Sequence, residues 1–344
     1  MNTIPAAPRL LRIAPIWLLL LSALLHAFPT AAQPAAHSAI THPGSGATPG
    51  PAFSVVPLGV RGGLDESNLS AYAVAAAGSA DYICLDAGTL FAGLEKARAN
   101  GVFHLPPGVF LRTRIKGYFI SHPHLDHVAG LIINSPDDTA KNIYGLASCL
   151  STIQEKYFSW KSWANFGDEG EKPQLKKYHY VTLEPGKEIP ADNTPLFVEA
   201  FPLSHGNPYE STAFLVRNGS NRLLYFGDTG ADSVEHSDRL HTVWQAVAPL
   251  IKGGNLKAIF IEVSFPNEQP VKSLFGHLTP ALLQQEMNAL ARLCGPAALN
   301  NLPVVITHRK PVANQEETIR RQLLANNPLH LKLIFPQQGR RLEF

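Results

Sequence analysis

The sequence predicts a mixed α/β fold of the α+β type, in which helices cover β-sheets in a single domain. From about Phe53, short apolar or β-branched runs alternate with amphipathic stretches, and no repeat with a period of about 20 to 50 residues is present. The early strands follow one another directly, whereas helices separate the later ones, which is typical of helix-covered sheets. The chain has 344 residues, 45% of them hydrophobic, so it can bury a large core.

The same patterns give the order of the elements. The predicted strands are Phe53–Val60, Ser70–Ala76, Tyr82–Asp86, Tyr118–Ser121, Tyr178–Leu183, Leu196–Leu203, Thr212–Val216, Arg222–Phe226, Ala258–Val263 and Pro303–Thr307. The predicted helices are Leu90–Ala99, His127–Ile133, one around Ile153, Leu240–Ile251, Pro280–Leu293 and Asn314–Leu324. Thr279 is predicted to cap the helix that begins at Pro280, because proline is tolerated in the first helical turn.

The N-terminal segment has the layout of a secretory signal peptide. Arg9 and Arg12 precede an apolar run from Trp17 to Leu25, which is shorter than the roughly 20 apolar residues of a membrane-spanning helix. We therefore expect cleavage after Ala32 and a periplasmic or secreted protein without a membrane anchor. The predicted organisation is a signal peptide at 1–32, a flexible Pro/Gly/Ala/Ser-rich leader at 33–52 and the folded domain at 53–344.

Charge and cysteine content argue against a nucleic-acid-binding protein and against a disulfide-stabilised one. The 29 Lys and Arg residues face 27 Asp and Glu, and removal of Arg9 and Arg12 with the signal peptide makes the chain neutral. A neutral surface argues against nucleic acid as the main partner, because phosphate binding needs basic side chains. Three widely spaced cysteines indicate neither a disulfide framework nor a cysteine-based zinc cluster, and Cys84 in its apolar run is expected to be buried.

A cluster of possible metal ligands follows the predicted strand Tyr118–Ser121. His122 and His124 are two residues apart in an extended turn, so their rings can point the same way. Asp126 and His127 come next, as the chain turns into a helix, and they can face a second ion. Imidazole and carboxylate together are typical of zinc or a similar transition ion.

Three further candidates each close an apolar strand later in the chain. His205, Asp228 and His308 lie where a strand holds the ligand rigidly at the edge of a cleft. With the first cluster they make five histidines and two aspartates, enough for two divalent metal ions. Zinc is the expected ion, and Mn²⁺ or Fe²⁺ would fit the same ligands.

These motifs resemble those of the metallo-β-lactamase superfamily, which implies an αββα sandwich over most of 53–344. The resemblance also implies that His122, His124 and His205 bind one metal, that Asp126, His127 and His308 bind the other, and that Asp228 bridges them. The stretch HPHLDHVAGLIINSP resembles the signature of class II 3',5'-cyclic nucleotide phosphodiesterases. The stretches Val56–Tyr72, Leu85–Thr89 and Phe275–Pro280 resemble further parts of that family. The implied reaction opens cAMP, and also cGMP, to the 5'-nucleotide.

The residue types suit this chemistry. Two cations about 3.5–4 Å apart lower the pKa of a bridging water and neutralise phosphoryl oxygens. We predict that a metal-bridged hydroxide, oriented by Asp126, attacks phosphorus. His277 lies outside the ligand set, so it can give a proton to the departing sugar oxygen or bind the phosphate. Glu262 could hold the other ring nitrogen of His277, and this pair is similar to one in ribonuclease Z.

Other candidates have equally good structural explanations. Asn68 and Thr279 could contact the substrate, and Trp160 or Trp163 could stack on a base, but loop, cap and core roles fit too. Asp86 could hold a ligand histidine or simply form a turn. A homodimer is the expected assembly, although no motif specifies it.

Three other functions stay open. A ribonuclease Z-like or general phosphodiesterase should offer a basic groove, for which only Lys176-Lys177 provides a hint. A non-catalytic metal-binding protein would need the seven ligands but not His277. A lactonase or β-lactamase has only the analogy of fold in its favour.

Overall fold

The computed structural model describes residues 50–344, so the predicted signal peptide and most of the leader lie outside the described residues. The strands are β1 (Phe53–Gly59), β2 (Ala71–Ala76), β3 (Tyr82–Leu85), β4 (Ile115–Phe119), β5 (Lys141–Gly145), β6 (Tyr178–Thr182), β7 (Ile189–Pro190), β8 (Phe197–Ser204), β9 (Glu210–Asn218), β10 (Asn221–Phe226), β11 (Leu256–Glu262), β12 (Pro303–Thr307), β13 (Lys332–Ile334) and β14 (Leu342–Glu343). The α-helices are α1 (Phe91–Ala99), α2 (Pro107–Arg114), α3 (Leu125–Asn134), α4 (Ala147–Thr152), α5 (Asp232–Glu235), α6 (Arg239–Lys252), α7 (Pro280–Cys294) and α8 (Gln315–Ala325).

The strands form two seven-stranded sheets. The order is β14-β1-β2-β3-β4-β5-β6 in the first sheet and β13-β12-β11-β10-β9-β8-β7 in the second. In each sheet four neighbouring strands are parallel, β3 to β6 in the first and β10 to β13 in the second, and the others pair antiparallel. The carboxyl ends of parallel strands lie at one edge, so residues that follow them can meet in a cleft.

The sheets pack face to face and helices cover their outer faces. Tyr72 of the first sheet contacts Phe260 of the second with ring centroids 5.6 Å apart, and Phe119 contacts Phe214 at 5.8 Å. Separate apolar clusters bury α1, α2 and α3 against the first sheet, and α6, α7 and α8 against the second. The result is the four-layer αββα sandwich that the resemblance implied.

The main helices and strands match the predicted ones; the differences lie in the bounds of β4, in the helix around Ile153, and in the elements that were not predicted, which are α2, α5, β5, β7, β13 and β14. β4 begins at Ile115 and ends at Phe119, so Ser121 already belongs to the turn that carries the histidines. α2 was not predicted because its eight residues bury only Pro107, Phe110 and Leu111, too few to show a helical period. β5 was not predicted because it contains Lys141, whose buried ammonium pairs with Asp138. The predicted helix around Ile153 is α4 with a π-helical continuation.

Two expectations at individual positions are confirmed. The Thr279 hydroxyl accepts a hydrogen bond from the Leu282 amide at 3.3 Å and caps α7. Cys84 is fully buried. No helix within residues 50–344 is both long and apolar enough to cross a membrane.

Candidate metal centre and active site

The first ligand group consists of His122, His124, His205 and Asp228, whose possible ligand atoms all lie within 4.8 Å of one another. The Nδ1 atom of His124 is 3.1 Å from His122 Nε2 and 3.3 Å from His205 Nε2. Asp228 Oδ2 is 3.7 Å from His122 Nε2 and 3.8 Å from His205 Nε2. The turn after β4 supplies two of these ligands, and the ends of β8 and β10 supply the others.

The second ligand group consists of Asp126, His127, Asp228 and His308. Asp228 Oδ2 is 3.3 Å from His127 Nε2 and 3.2 Å from His308 Nε2, so this one oxygen faces both groups. Asp126 Oδ2 lies 3.1 Å from His308 Nε2 and accepts a hydrogen bond from the Gly63 amide at 2.9 Å. The structure thus brings together all seven residues that the sequence singled out as metal ligands.

Asp86, at the end of β3, holds the first part of the cluster in place. Its Oδ2 atom is 2.7 Å from His127 Nδ1 and accepts hydrogen bonds from the hydroxyls of Ser121 and Tyr225. Its Oδ1 atom accepts the Ser121 amide at 2.7 Å. The Ser121 hydroxyl is also 3.0 Å from His122 Nδ1. Two ligand imidazoles are therefore oriented through one buried carboxylate, which fixes which ring nitrogen faces the ion.

The second sheet supports its histidines in a similar way. His205 Nδ1 lies 2.9 Å from the carbonyl oxygen of Gly276, and His308 Nδ1 lies 2.9 Å from the Ser264 hydroxyl. With Nδ1 occupied by an acceptor, Nε2 of both rings is free to bind a metal ion.

His277 and Glu262 form a buried pair beside the ligand groups. His277 Nδ1 is 2.7 Å from Glu262 Oε1, which leaves Nε2 as the nitrogen that can act on a ligand. The Ser264 hydroxyl donates to Glu262 Oε2 at 2.7 Å and lies 3.2 Å from His277 Nδ1. Burial lowers the pKa of His277 to about 4 and raises the pKa of Glu262 to about 7. Burial thus disfavours both the ionised Glu262 carboxylate and the protonated His277 ring. The pair can therefore share one proton between Glu262 and His277 Nδ1 near neutral pH.

The electrostatics of the cluster fit divalent cations. Burial lowers the pKa of His122, His124 and His205, so these rings stay neutral, which is the form that binds metal. Burial opposes ionisation of Asp228, but His308 and His127 outweigh it and hold the pKa of this carboxyl well below its usual range. The Nε2 atom of His127 is buried and lies 3.3 Å from Asp228 Oδ2, but no acceptor among the described residues is placed to form a hydrogen bond with it. Such an orphaned nitrogen in a ring of carboxylates and imidazoles is explained by a metal ion.

The residues predicted to contact substrate all have structural partners. The Asn68 side-chain oxygen accepts the Val60 amide at 3.0 Å, and Thr279 caps α7. Trp160 is 43% exposed and donates its indole N–H to the Pro173 carbonyl, while Trp163 donates to the Ser135 hydroxyl. None of these contacts involves a ligand group, and whether these side chains contact substrate stays a prediction.

Sequence reasoning missed Ser121, Ser264 and Tyr209. Ser121 directly precedes His122, and Ser264 follows Glu262 by two residues on the same side of the chain, so their positions carried a signal. Tyr209 lies next to His124, with ring centroids 5.5 Å apart, and 62% of it is exposed. Nothing in its short loop distinguishes it before the loop is folded.

Comparisons with known proteins agree with this geometry. The family model for cAMP phosphodiesterases class-II matches residues 107–339. A 3',5'-cyclic-nucleotide phosphodiesterase from Aliivibrio fischeri is 44% identical over 307 residues, which cover 85% of this chain and 93% of the relative. This chain belongs to the class-II cAMP phosphodiesterase family. It is therefore a phosphodiesterase, and the resemblance read from the sequence is confirmed.

A more distant relative and two solved structures extend the comparison. A cAMP/cGMP-dependent 3',5'-cAMP/cGMP phosphodiesterase A from Dictyostelium discoideum is 30% identical, over 83% of this phosphodiesterase and 80% of the relative. Unliganded yeast PDE1 superposes with a TM-score of 0.75 at 22% identity, covering 86% of this chain and all of that one. The metallo-beta-lactamase fold protein YhfI from Bacillus subtilis gives a TM-score of 0.55 at 17% identity, with 85% and 99% covered. The predicted metallo-β-lactamase-like fold is thus confirmed.

Proposed function

We propose that this phosphodiesterase hydrolyses 3',5'-cyclic AMP, and also 3',5'-cyclic GMP, to the 5'-nucleotide with the help of two divalent metal ions. The observation that carries the proposal is Asp228 Oδ2, which lies 3.2–3.8 Å from four imidazole nitrogens divided between the two ligand groups. A carboxylate oxygen in that position suits a ligand shared by two cations. Family membership supports the cyclic nucleotide, and the name of the Dictyostelium relative supports both bases.

The first ligand group would hold one ion and the second ligand group the other. When bound, such ions lower the pKa of a water molecule between them and neutralise the negative phosphoryl oxygens. Zinc suits the imidazole-rich ligands best, and Mn²⁺ or Fe²⁺ fit the same atoms.

Asp126 and His277 have the positions to move protons. Asp126 Oδ2 lies beside His308 Nε2 among the atoms of the second ligand group and accepts the Gly63 amide, which leaves Oδ1 to orient the attacking water. The bond to the 3' oxygen breaks as water adds to phosphorus, and that oxygen must gain a proton. His277 Nε2 supplies it, while Glu262 holds Nδ1 and so fixes the orientation of the ring.

The test uses the purified chain reconstituted with zinc or with manganese, with and without a chelator. Cyclic AMP and cyclic GMP are the substrates, and chromatography identifies the nucleotide produced. We expect 5'-AMP and 5'-GMP, with formation abolished by the chelator and restored by added metal. A 3'-nucleotide product would contradict the role of His277 as proton donor to the 3' oxygen. Turnover that the chelator does not affect would contradict the requirement for metal ions.

We also propose export through the predicted signal peptide to the periplasm or medium, and assembly as a homodimer. N-terminal sequencing of the exported protein should begin at Gln33, and light scattering should give twice the mass of the mature chain. An uncleaved N-terminus or a monomeric mass would contradict these two proposals separately.

A further inference from the structure

Tyr209 is an exposed aromatic side chain at the edge of the first ligand group. Its ring centroid lies 5.5 Å from that of His124, and the ring planes are inclined by 65°. Tyr209 is nevertheless 62% exposed, so most of its apolar surface is in water. A large ring in that position, beside a polar cluster, offers a surface on which a flat ligand can stack.

The backbone that carries Tyr209 is tied down on both sides. The Tyr209 amide donates to the Gly206 carbonyl at 3.1 Å, and the Gly206 amide donates to Glu235 Oε2 at 2.9 Å. Directly after Tyr209, Glu210 forms an ion pair with Arg239 at 2.8 Å. These contacts hold the turn in place before any ligand arrives, and binding to a preorganised ring loses less entropy.

A groove of about 500 Å³ adjoins Tyr209. Its lining includes Pro123 and Ser204, which precede His124 and His205 in the chain, and Tyr209, which contacts the ring of His124. Three of its polar side chains already have partners in the protein: Ser148 and Arg239 contact the Glu210 carboxylate, and Thr152 donates to the Ser148 carbonyl. Further polar groups that line the groove are Asn207 and His236, which can donate or accept hydrogen bonds, Ser237 and the carboxylate of Glu235. An apolar ring at the edge and polar groups within suit the flat face and polar rim of a nucleobase.

We propose that Tyr209 is the base-binding residue on which the base of the cyclic nucleotide stacks, with the base's polar edge in this groove. The inference rests on the proposed function, because it takes the cyclic phosphate as the group bound at the metal ligands. It also assigns the base to a different aromatic residue from Trp160, whose indole N–H is already bonded to the Pro173 carbonyl.

The experiment compares Tyr209→Ala, Tyr209→Phe and Trp160→Ala on two substrates. One is cyclic AMP, and the other is the 3',5'-cyclic phosphate of methyl riboside, which keeps the phosphodiester but has no base. Phe91→Ala is the matched control, because Phe91 is also about half exposed, at 44%, and lies at the start of α1 outside both ligand groups. Thermal unfolding establishes that each variant is folded.

Stacking on one aromatic ring is worth enough to predict a rise in KM of about tenfold or more for cyclic AMP in Tyr209→Ala. The kcat of Tyr209→Ala should change little. Tyr209→Phe keeps the aromatic ring, so its KM for cyclic AMP should equal that of the wild type. The KM for the substrate without a base should be the same in all variants. By calorimetry, Tyr209→Ala should also weaken binding of 5'-AMP but not of ribose 5-phosphate.

Three results would overturn the inference. An unchanged KM for cyclic AMP in Tyr209→Ala, or a rise shared equally with the base-free substrate, shows that the ring does not bind the base. A rise confined to Trp160→Ala assigns the base to that residue instead. Absence of cyclic AMP hydrolysis by the wild-type chain with either metal would instead refute the proposed function itself, so the two failures are distinct.

Discussion

Replacing Asp86 by asparagine would measure how much the metal centre depends on the carboxylate behind it. Asp86 is fully buried and accepts four hydrogen bonds, two from Ser121, one from His127 and one from Tyr225, all at 2.7–2.8 Å. One donor faces Oδ1 and three face Oδ2. Asparagine has nearly the same volume, so the substitution changes the chemistry of the site and not its packing.

The arrangement of donors sets the size of the effect. The asparagine side chain must place its NH₂ group where either Oδ1 or Oδ2 of Asp86 lies. All the neighbours of both oxygens are hydrogen-bond donors in the wild type, so the NH₂ group finds no acceptor at either position. With the oxygen kept at the Oδ2 position, only the Ser121 amide loses its acceptor, which costs about 1–3 kcal/mol of unfolding free energy. Loss of the negative charge behind His127 should also weaken metal binding by the second ligand group about 10- to 100-fold.

The matched control is Asp138→Asn, in the loop that precedes β5 of the same sheet. Asp138 is also buried and accepts hydrogen bonds from the hydroxyls of Tyr118 and Tyr178 and from the Lys141 ammonium, but none of its partners is a metal ligand. Urea unfolding of the metal-free proteins measures stability, and competition with a chromophoric chelator measures zinc affinity. We expect both variants to be destabilised and only Asp86→Asn to lose affinity. Equal affinities in Asp86→Asn and wild type, or equal losses in both variants, would refute the reasoning.

Three further substitutions separate metal binding, proton transfer and folding. His124→Ala removes one of four ligands of the first group, so metal analysis should find about one ion fewer per chain and no turnover at limiting metal; full metal content would contradict the assignment. His277→Gln should keep both ions but lower kcat about 10²- to 10⁴-fold, and an unchanged kcat would exclude His277 as the proton donor. Thr279→Ala should lower the unfolding free energy by about 1 kcal/mol through loss of the α7 cap. A rise in its KM for cyclic AMP would indicate that Thr279 also contacts substrate.

The sequence was informative where function depends on short segments. The His122–His127 cluster follows a strand whose apolar run is plain, and the chain itself fixes the spacing of these ligands. Local patterns do not reveal which side chains meet across the fold. Ser264 contacts His277 and His308 only when the ends of β11 and β12 come together. Tyr209 lies in the turn between β8 and β9 and meets His124, far from it in sequence, only when the two sheets have packed. Strand β5 was missed for a similar reason, since its buried lysine is tolerable only beside Asp138.

The metal centre belongs to both sheets, which couples metal binding to the packing of the sandwich. Each ligand group takes side chains from the turn after β4 in the first sheet and from strand ends of the second, and Asp228 serves both. In the metal-free protein the charge of Asp228 is balanced by neighbouring imidazoles, and the buried His127 Nε2, 3.3 Å from Asp228 Oδ2, makes no hydrogen bond among residues 50–344. Bound cations would satisfy both groups at once, and ligands that bind only the folded state stabilise it by about 4 kcal/mol at a thousandfold excess over Kd. The ions are therefore expected to hold the two sheets together as well as to activate water. Removing them should both abolish activity and lower the stability of the sandwich around the cleft.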